Sequence, residues 1–567
     1  MPYPVGHQSQ ALDPSDPDAR EAQTFPVLTP EQMRRIAAYG AAEDAPAGAT
    51  LYARGQRGVD FFLVLEGEVE VLDPSREGEV FYILGPGQFS GEMNLFNRRE
   101  ILVTGRTLVD SRVLRVRAAD FRRLVAADSD ISEVLMRAFI LRRVGLIRHV
   151  RGGVTLVGPA HAGDMLRLRT FLARNSYPFR VIDTERDQAE AERIVGRELA
   201  ADDLPLVAPP TGEPLHNPSN LQLAEALGLT EPIPEGDIFD VIVAGAGPAG
   251  LASAVYATSE GLSCLVVEAV APGGQAGSSS KIENYLGFPT GVSGQALAGR
   301  AQAQAQKFGA RLAIARSAVE LDCSQTPFRL RLEGGCEVRG RTLVVATGAR
   351  YRRLPIAGFE RFEGQGVHYA ATAMEAQLCS GEEVAIVGGG NSAGQAAIYL
   401  SSVVRHVHMI IRGEGLAATM SEYLIERIRS SPVITLHPET EVTGLSGEGW
   451  LSRVAWIDRR TGEELERPVT NLFLMIGAEP NTAWLQGCVK LDDKGFVETG
   501  RDEDGRPLGS QFATTKPGVF AVGDVRAGSV KRVASAVGEG SVVVHAIHQH
   551  LAAESGGAAP AAVQQRA

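Results

Sequence analysis

Cysteine is scarce in this chain: five in 567 residues, at Cys264, Cys323, Cys336, Cys379 and Cys488. No two of them stand in Cys-x-x-Cys spacing, which excludes a redox dithiol of that kind and a zinc knuckle. No metal site is expected. Each thiol reads as a small buried hydrophobe, and low cysteine use points to a reducing cytoplasm. Positive charge is also in deficit. Lys and Arg number 56 against 68 Asp and Glu, a formal net charge of -12, so there is no global electrostatic case for nucleic-acid binding. The N-terminal MPYPVGHQSQALDPSDPDAR lacks the basic start and apolar run of a secretory leader. The longest uncharged stretch, VIVAGAGPAGLASAVYATS from Val241, is about long enough to cross a bilayer. Its glycines and Pro248 follow a strand–turn–helix logic instead, so no membrane segment is expected.

What is present is the composition of a soluble globular protein, 44% hydrophobic and 22% charged, with length for about three or four domains. Residues 1–24 are polar and rich in Pro and Asp, and a disordered lead-in is expected. Residues 25–150 alternate as short strands, with DFFLVLEGEVEVL broken at Gly67, and close with the helical pattern ISEVLMRAFILRRVGLI. That pattern predicts a small β-roll with a C-terminal helix. Residues 152–230 read as a strand (GVTLVG), an amphipathic helix (AGDMLRLRTFLARN), a strand (FRVIDTE), a helix, a hairpin (LPLVAPPTGEPL) and a capped helix (NPSNLQLAEALGL). The tail from residue 556 is low-complexity and expected to be flexible.

The last and largest unit carries two strand–Gly-rich turn–helix patterns. FDVIVAGAGPAGLASAVYATSEGLSCLVVEA places Gly245, Gly247 and Gly250 in GxGxxG spacing, with Pro248 and Ala249 between them and Glu268 at the end of the next strand. The first glycine makes the tight turn, the second admits a pyrophosphate to the backbone, and the third lets helix and strand pack closely. An acid at the position of Glu268 accepts ribose hydroxyls. EEVAIVGGGNSAGQAAIYLSSVVRHVHMIIRG repeats the design with Gly388, Gly390, Asn391, Ser392 and Ala393. Its second strand leads to Arg412 and no acid. An arginine can pair with a 2′-phosphate that a carboxylate would repel, which favours NADPH and leaves NADH possible.

With PGGQAG, IENYLGFP, LVVATGAR, LMIGAEPNT and GVFAVGDV following in order, some 310 residues resemble the thioredoxin reductase family of two-domain flavoproteins. The resemblance implies an FAD domain in two parts, 238–352 and 477–555, an NAD(P) domain at 353–476 between them, and a homodimer. It also implies that Gly274 and Gln275 lie along FAD, Asn284 near the flavin ring, and Thr347 and Gly348 at the return to the FAD domain. Asp524 would hold a ribityl hydroxyl, with Gly523 allowing the approach, and Lys531, Arg532 and Val533 would face the flavin. Two departures stand out. The family's Cys-x-x-Cys falls on Ala370 and Ala373, so no catalytic residue is expected beyond the flavin itself, and of the family's basic NADPH clamp only Arg412 remains.

The first unit resembles a cyclic-nucleotide-binding domain, in FFLVLEGEVEV and LGPGQFSGEMNLF. Gly91 and Glu92 match the start of its phosphate cassette, but the phosphate-binding arginine is replaced by Ile101, with Arg98, Arg99 and Arg106 as the nearby substitutes. A degenerate docking or dimerisation fold is expected over nucleotide binding. The second unit resembles a glutaredoxin or thioredoxin fold without its cysteines: GPAHAGD stands where the active site would open, His161 is read as a loop residue, and Leu204-Pro205 sits where that fold carries a cis proline. The expected class is therefore α/β, with two Rossmann-like three-layer FAD and NAD(P) domains preceded by a β-roll and a small thioredoxin-like domain. The expected function is an FAD-dependent NAD(P)H oxidoreductase that passes electrons to an acceptor other than an internal disulfide: oxygen, a quinone or a protein carrier. Two alternatives stay open. One is thioredoxin-disulfide reduction by a non-standard thiol route, for instance through Cys379. The other is a flavin-based redox sensor acting through the N-terminal modules.

Overall fold

The computed structural model describes residues 21–73, 79–91, 94–97, 99–148, 153–160, 162–200, 203–209, 213–233, 236–279, 282, 285–369, 371, 373–485 and 487–554. The short helix Glu21–Thr24 falls within the stretch expected to be disordered; Thr24 is buried. Two antiparallel sheets follow. One orders Ala41–Ala45, Ser111–Val116 and Phe61–Glu66; the other orders Thr50–Tyr52, Thr104–Thr107, Val69–Asp73 and Glu79–Leu84. Phe61–Val64 and Val69–Asp73 are buried throughout. Helices Ala118–Ala127 and Ser129–Arg148 explain this on one side, because Phe121 and Phe139 interlock with Phe61, Phe89 and Phe96.

The second module is a four-stranded sheet in the order Leu215–His216, Leu206–Ala208, Val154–Gly158, Phe179–Asp183, in which only the last pair is parallel. Its helices are Gly163–Arg174, Gln188–Val195 and Asn220–Ala226, the last opened by a Ser219/Gln222 capping box. The Leu204-Pro205 bond is cis.

The third unit begins with Ile238–Ala244, whose apolar run is buried because it lies inside a parallel sheet covered on both faces. The parallel strands of this sheet are Arg311–Ile314, Cys264–Glu268, Ile238–Ala244, Glu337–Val345 and Val519–Ala521; Phe328–Leu332 and Ala318–Asp322 extend it antiparallel. Between its two parts lies a five-stranded parallel sheet, ordered Val367–His368, Asn471–Leu474, Glu383–Val387, His406–Ile410, Ile434–His437. The chain leaves and re-enters through an antiparallel pair, Ala349–Tyr351 with Ala478–Pro480. No helix among the described residues is long and apolar enough to cross a membrane. The uncharged stretch from Val241 is a strand, a turn and the helix Pro248–Ser259.

One apolar cluster runs through all three units, including Phe139 of the first, Phe171 and Leu223 of the second, and Val243, Val266 and Ile547 of the third. Two cysteines correct the reading of every thiol as an unpaired hydrophobe. Cys323 and Cys488 form a disulfide, with Cα atoms 5.9 Å apart across a sequence separation of 165. The strand Ala318–Asp322 lies against the turn Ala483–Leu485, and a proximity made by tertiary contact leaves no local spacing to read. Cys264 and Cys379 are buried, as expected.

Candidate functional site

The first Gly-rich turn is built by exclusion. Gly245 has φ 107°, and a Cβ there would collide with the Ala346 carbonyl oxygen and stand 3.0 Å from the Thr347 Cα. At Gly250 a Cβ would strike the Gly245 carbonyl oxygen. Gly247 differs: the nearest atom to its missing Cβ is the Gly274 Cα at 3.9 Å, so its backbone stands bare to the crevice. Gly274, at φ 54°, comes from the loop that follows Glu268 and approaches Gly247 in turn. Glu268 organises that loop. One carboxylate oxygen accepts the Ala246 N–H at 2.7 Å, and the other accepts those of Val270 at 3.0 Å and Ala271 at 3.3 Å. The oxygen that accepts from Ala246 keeps a lone pair for a further donor.

Gln275, Thr347, Gly348 and Gly523 make contacts beside this turn. Gln275 donates its side-chain amide to the Ala349 carbonyl. Thr347 donates its hydroxyl to the Asn481 carbonyl at 2.8 Å, while Asn481 donates back to the Thr347 carbonyl at 2.9 Å and its N–H reaches the Gly348 carbonyl at 3.1 Å. Gly523, at φ 75°, places its missing Cβ 2.9 Å from the Ala249 Cβ. The Asp524 carboxylate has no hydrogen-bond partner among the described residues, and burial, reinforced by Glu539, raises its pKa against the pull of Lys531. Lys531 reaches the Asp524 carbonyl at 3.4 Å and covers the Phe496 ring at 4.6 Å. Arg532 is exposed, and Val533 opens the long helix Val533–Glu554. Asn284 and Ala370 lie outside the described residues, and Ala373 opens the helix Ala373–Leu378.

The second turn repeats the geometry. Gly388, at φ 142°, would put a Cβ 2.5 Å from the Met475 carbonyl oxygen, while Gly390 is open. Ala393 is fully buried, as the third small position requires. The Asn391 side-chain oxygen is committed to the Ser421 N–H at 2.8 Å and the Ser421 hydroxyl at 3.1 Å. Ser392, also in the first helical turn, is exposed. Arg412, just past the strand His406–Ile410, is exposed and forms no ion pair among the described residues.

Some participants carried no sequence signal. Glu539 accepts the Gly523 N–H at 2.6 Å and pairs with Arg526 at 2.5 Å, so a residue in the second turn of the C-terminal helix fixes the turn that presents Asp524. Tyr351 and Tyr369 stack with centroids 4.9 Å apart, and Tyr369 immediately precedes Ala370 in the sequence. Burial raises the pKa of both phenols; Tyr369 donates to Glu363, and the charge of Asp524 bears on Tyr351. Cys379 is fully buried, its thiol donates to the Glu375 carbonyl at 3.0 Å, and burial pushes it up to about 11.

In the β-roll the substitute arginines are otherwise engaged. Arg106 pairs with buried Glu70 at 2.5 Å, and Arg99, buried, donates to the Asn175 carbonyl of the second module at 3.5 Å. Ile101 is buried. Arg98, Glu92 and His161 lie outside the described residues.

Residues 239–540, more than half of the chain, match the family described as pyridine nucleotide-disulphide oxidoreductase. The chain belongs to that family. Membership of the pyridine nucleotide-disulphide oxidoreductases implies binding of FAD and NAD(P)H. Residues 42–128 match the cyclic nucleotide-binding domain. The chain is 32% identical over 56% of its length to NADPH-dependent thioredoxin reductase 3 of Arabidopsis thaliana, and 31% identical over 55% to NADH dehydrogenase of Bacillus subtilis. It spans 59% and 58% of those relatives' lengths. Among solved structures, thioredoxin reductase from Streptococcus pyogenes aligns with a TM-score of 0.50 and 27% identity, covering 56% of this chain and 99% of that one.

Proposed function

We propose that this oxidoreductase uses FAD in the first Gly-rich crevice and NADPH, or NADH, in the second, and delivers electrons to an acceptor other than an internal disulfide. The observation that carries the reading is the paired cradle: at each turn one glycine is forced by a neighbouring carbonyl and the next is bare. The residues fit the flavin nucleotide. Gly247 and Gly274 offer backbone to a pyrophosphate, and the Glu268 oxygen that accepts from Ala246 has a lone pair to spare for a ribose hydroxyl. Asp524 is a carboxylate without a hydrogen-bond donor among the described residues, and a ribityl hydroxyl would supply one. Gln275, Thr347, Gly348 and Gly523 hold the crevice walls, with Asn284 and the segment Lys531, Arg532, Val533 assigned to the flavin end. Bound FAD supplies acceptance of the nicotinamide hydride and onward electron transfer. Gly388, Gly390, Asn391, Ser392 and Ala393 are assigned to the nicotinamide nucleotide's turn, and Arg412, exposed just past the strand His406–Ile410, is assigned to a 2′-phosphate.

A thiol exit through Cys379 is disfavoured, because a buried, protonated thiol bonded to a carbonyl is a poor nucleophile. Activity indifferent to iodoacetamide is the expected outcome. The sensor alternative draws support from the continuous apolar core joining the N-terminal modules to the FAD domain. Anaerobic stopped-flow absorbance separates the readings. Rapid bleaching of bound flavin by NADPH or NADH, followed by reoxidation with oxygen or a quinone, is expected; a bound flavin that neither donor reduces would sink the oxidoreductase reading.

A further inference from the structure

A cavity of roughly 570 Å³ lies between the second module and the FAD domain. On one side it is lined by Val270 and Ala315, just past the carboxyl ends of the parallel strands Cys264–Glu268 and Arg311–Ile314, and by Ser317. Ligands of open α/β sheets bind outside those ends, and Glu268 closes the first of them. The cavity therefore opens at Ala269 and Val270, directly after Glu268, on the side where a ribose held by Glu268 would carry its adenine. Its opposite wall is formed by Arg167, Asn217 and Asn220 of the second module.

We infer that the second module completes the adenosine end of the FAD site, with Asn220 touching the cofactor and Arg167 as its positioning residue. Arg167 donates to the Pro218 carbonyl at 2.9 Å and to the side-chain oxygens of Asn220 at 3.1 Å and Asn217 at 2.8 Å. Asn217 in turn donates to Asp164 at 2.8 Å. This network engages the Asn220 oxygen and leaves its Nδ2 without a hydrogen bond among the described residues. An amide N–H is the donor that the ring nitrogens of adenine accept.

The module is also anchored to the loop that Glu268 organises. The buried Asn175 side chain donates to the Val270 carbonyl at 3.1 Å, Arg174 donates to the Gly274 carbonyl at 2.8 Å, and Gln295 donates to the Ala173 carbonyl at 2.6 Å. Wall and crevice are thus held in fixed relation, and a domain lacking cysteines acquires a task in cofactor retention.

This rests on the FAD reading above. The test is titration of full-length apoprotein with FAD, and separately with FMN, which lacks the adenosine half, read by flavin fluorescence. Loss of one hydrogen bond in Asn220→Ala is expected to weaken FAD roughly three- to tenfold. Asn220→Trp, which fills the cavity, is expected to weaken it more than about tenfold, the change of 1.4 kcal/mol. FMN affinity and apoprotein melting temperature stay at wild-type values in both. Unchanged FAD affinity in both variants, or equal weakening of FAD and FMN, would overturn the inference. Normal FAD binding without reduction by either nicotinamide would defeat the function proposed above and leave this one standing; a wild-type chain that binds no FAD would defeat both.

Discussion

Asp524 shows how a single side chain can be set against the stability of its own fold. Burial raises its carboxyl pKa, so the folded protein favours the protonated form. Such a group contributes its stability below the unfolded-state value near 4 and loses it as pH rises through the folded value. At neutral pH the ionised carboxylate is therefore a cost to the empty protein. Asp524→Asn is expected to raise the apoprotein's melting temperature at pH 7, by an amount that shrinks as the pH is lowered, and to weaken FAD binding. Calorimetry across pH checks the first half; an apoprotein less stable at pH 7 than wild type would contradict it. The aspartate itself was legible in the sequence through AVGD and its family resemblance. Glu539, which fixes the turn, was not, because a helix residue packing against a preceding loop leaves no local pattern.

At the scale of elements, the strands of the inserted sheet carry their own pH response. His408 on His406–Ile410 and His437 on Ile434–His437 approach to 3.1 Å between ring nitrogens, with Glu383 on the neighbouring strand at 3.4 Å from His408 and Trp456 above both rings. Burial lowers both pKa values; that of His437 falls to about 4, with His408 and Arg467 adding to the effect. A folded value below the unfolded one of about 6.5 means stability present above pH 6.5 and lost as pH falls toward 4. Amide exchange in His406–Ile410 should accelerate over that window, and His437→Gln should flatten the dependence. An acceleration unaltered by the substitution would place its origin elsewhere. Glu383–Val387 and His406–Ile410 were readable as the strands before and after the second Gly-rich turn and its helix; Ile434–His437 carried no such motif. In the β-roll the uninterrupted apolar run Phe61–Val64 is buried throughout, with Phe121 of a following helix stacked on Phe61.

For the whole molecule, the order of modules could be read ahead of the structure because each carries contiguous motifs. Their fusion through one apolar cluster could not, since interface residues are apolar for the same reason as core residues. The Cys323–Cys488 disulfide belongs to this class of hidden information. Closing a loop of about 165 residues removes unfolded-state entropy worth about 5 kcal/mol in the chain-entropy treatment. Dithiothreitol, or Cys323→Ser, is expected to lower the melting temperature, and non-reducing peptide mapping should recover the 323–488 cross-link. A chain purified anaerobically with all five thiols free and the same melting temperature would refute this.

The strand Val519–Ala521 pairs with Leu343–Val345, and the entire inserted sheet is encoded between them. On the ribosome, synthesis of that insert precedes the last parallel strand of the first sheet, and Asp524 emerges later still. For all that time the first sheet has an unpaired edge, the kind of surface that invites chaperones and aggregation. Cofactor loading is thus a late event in the life of each chain, and a flavin supply that falls short would be felt as loss of newly made protein before it was felt as loss of activity.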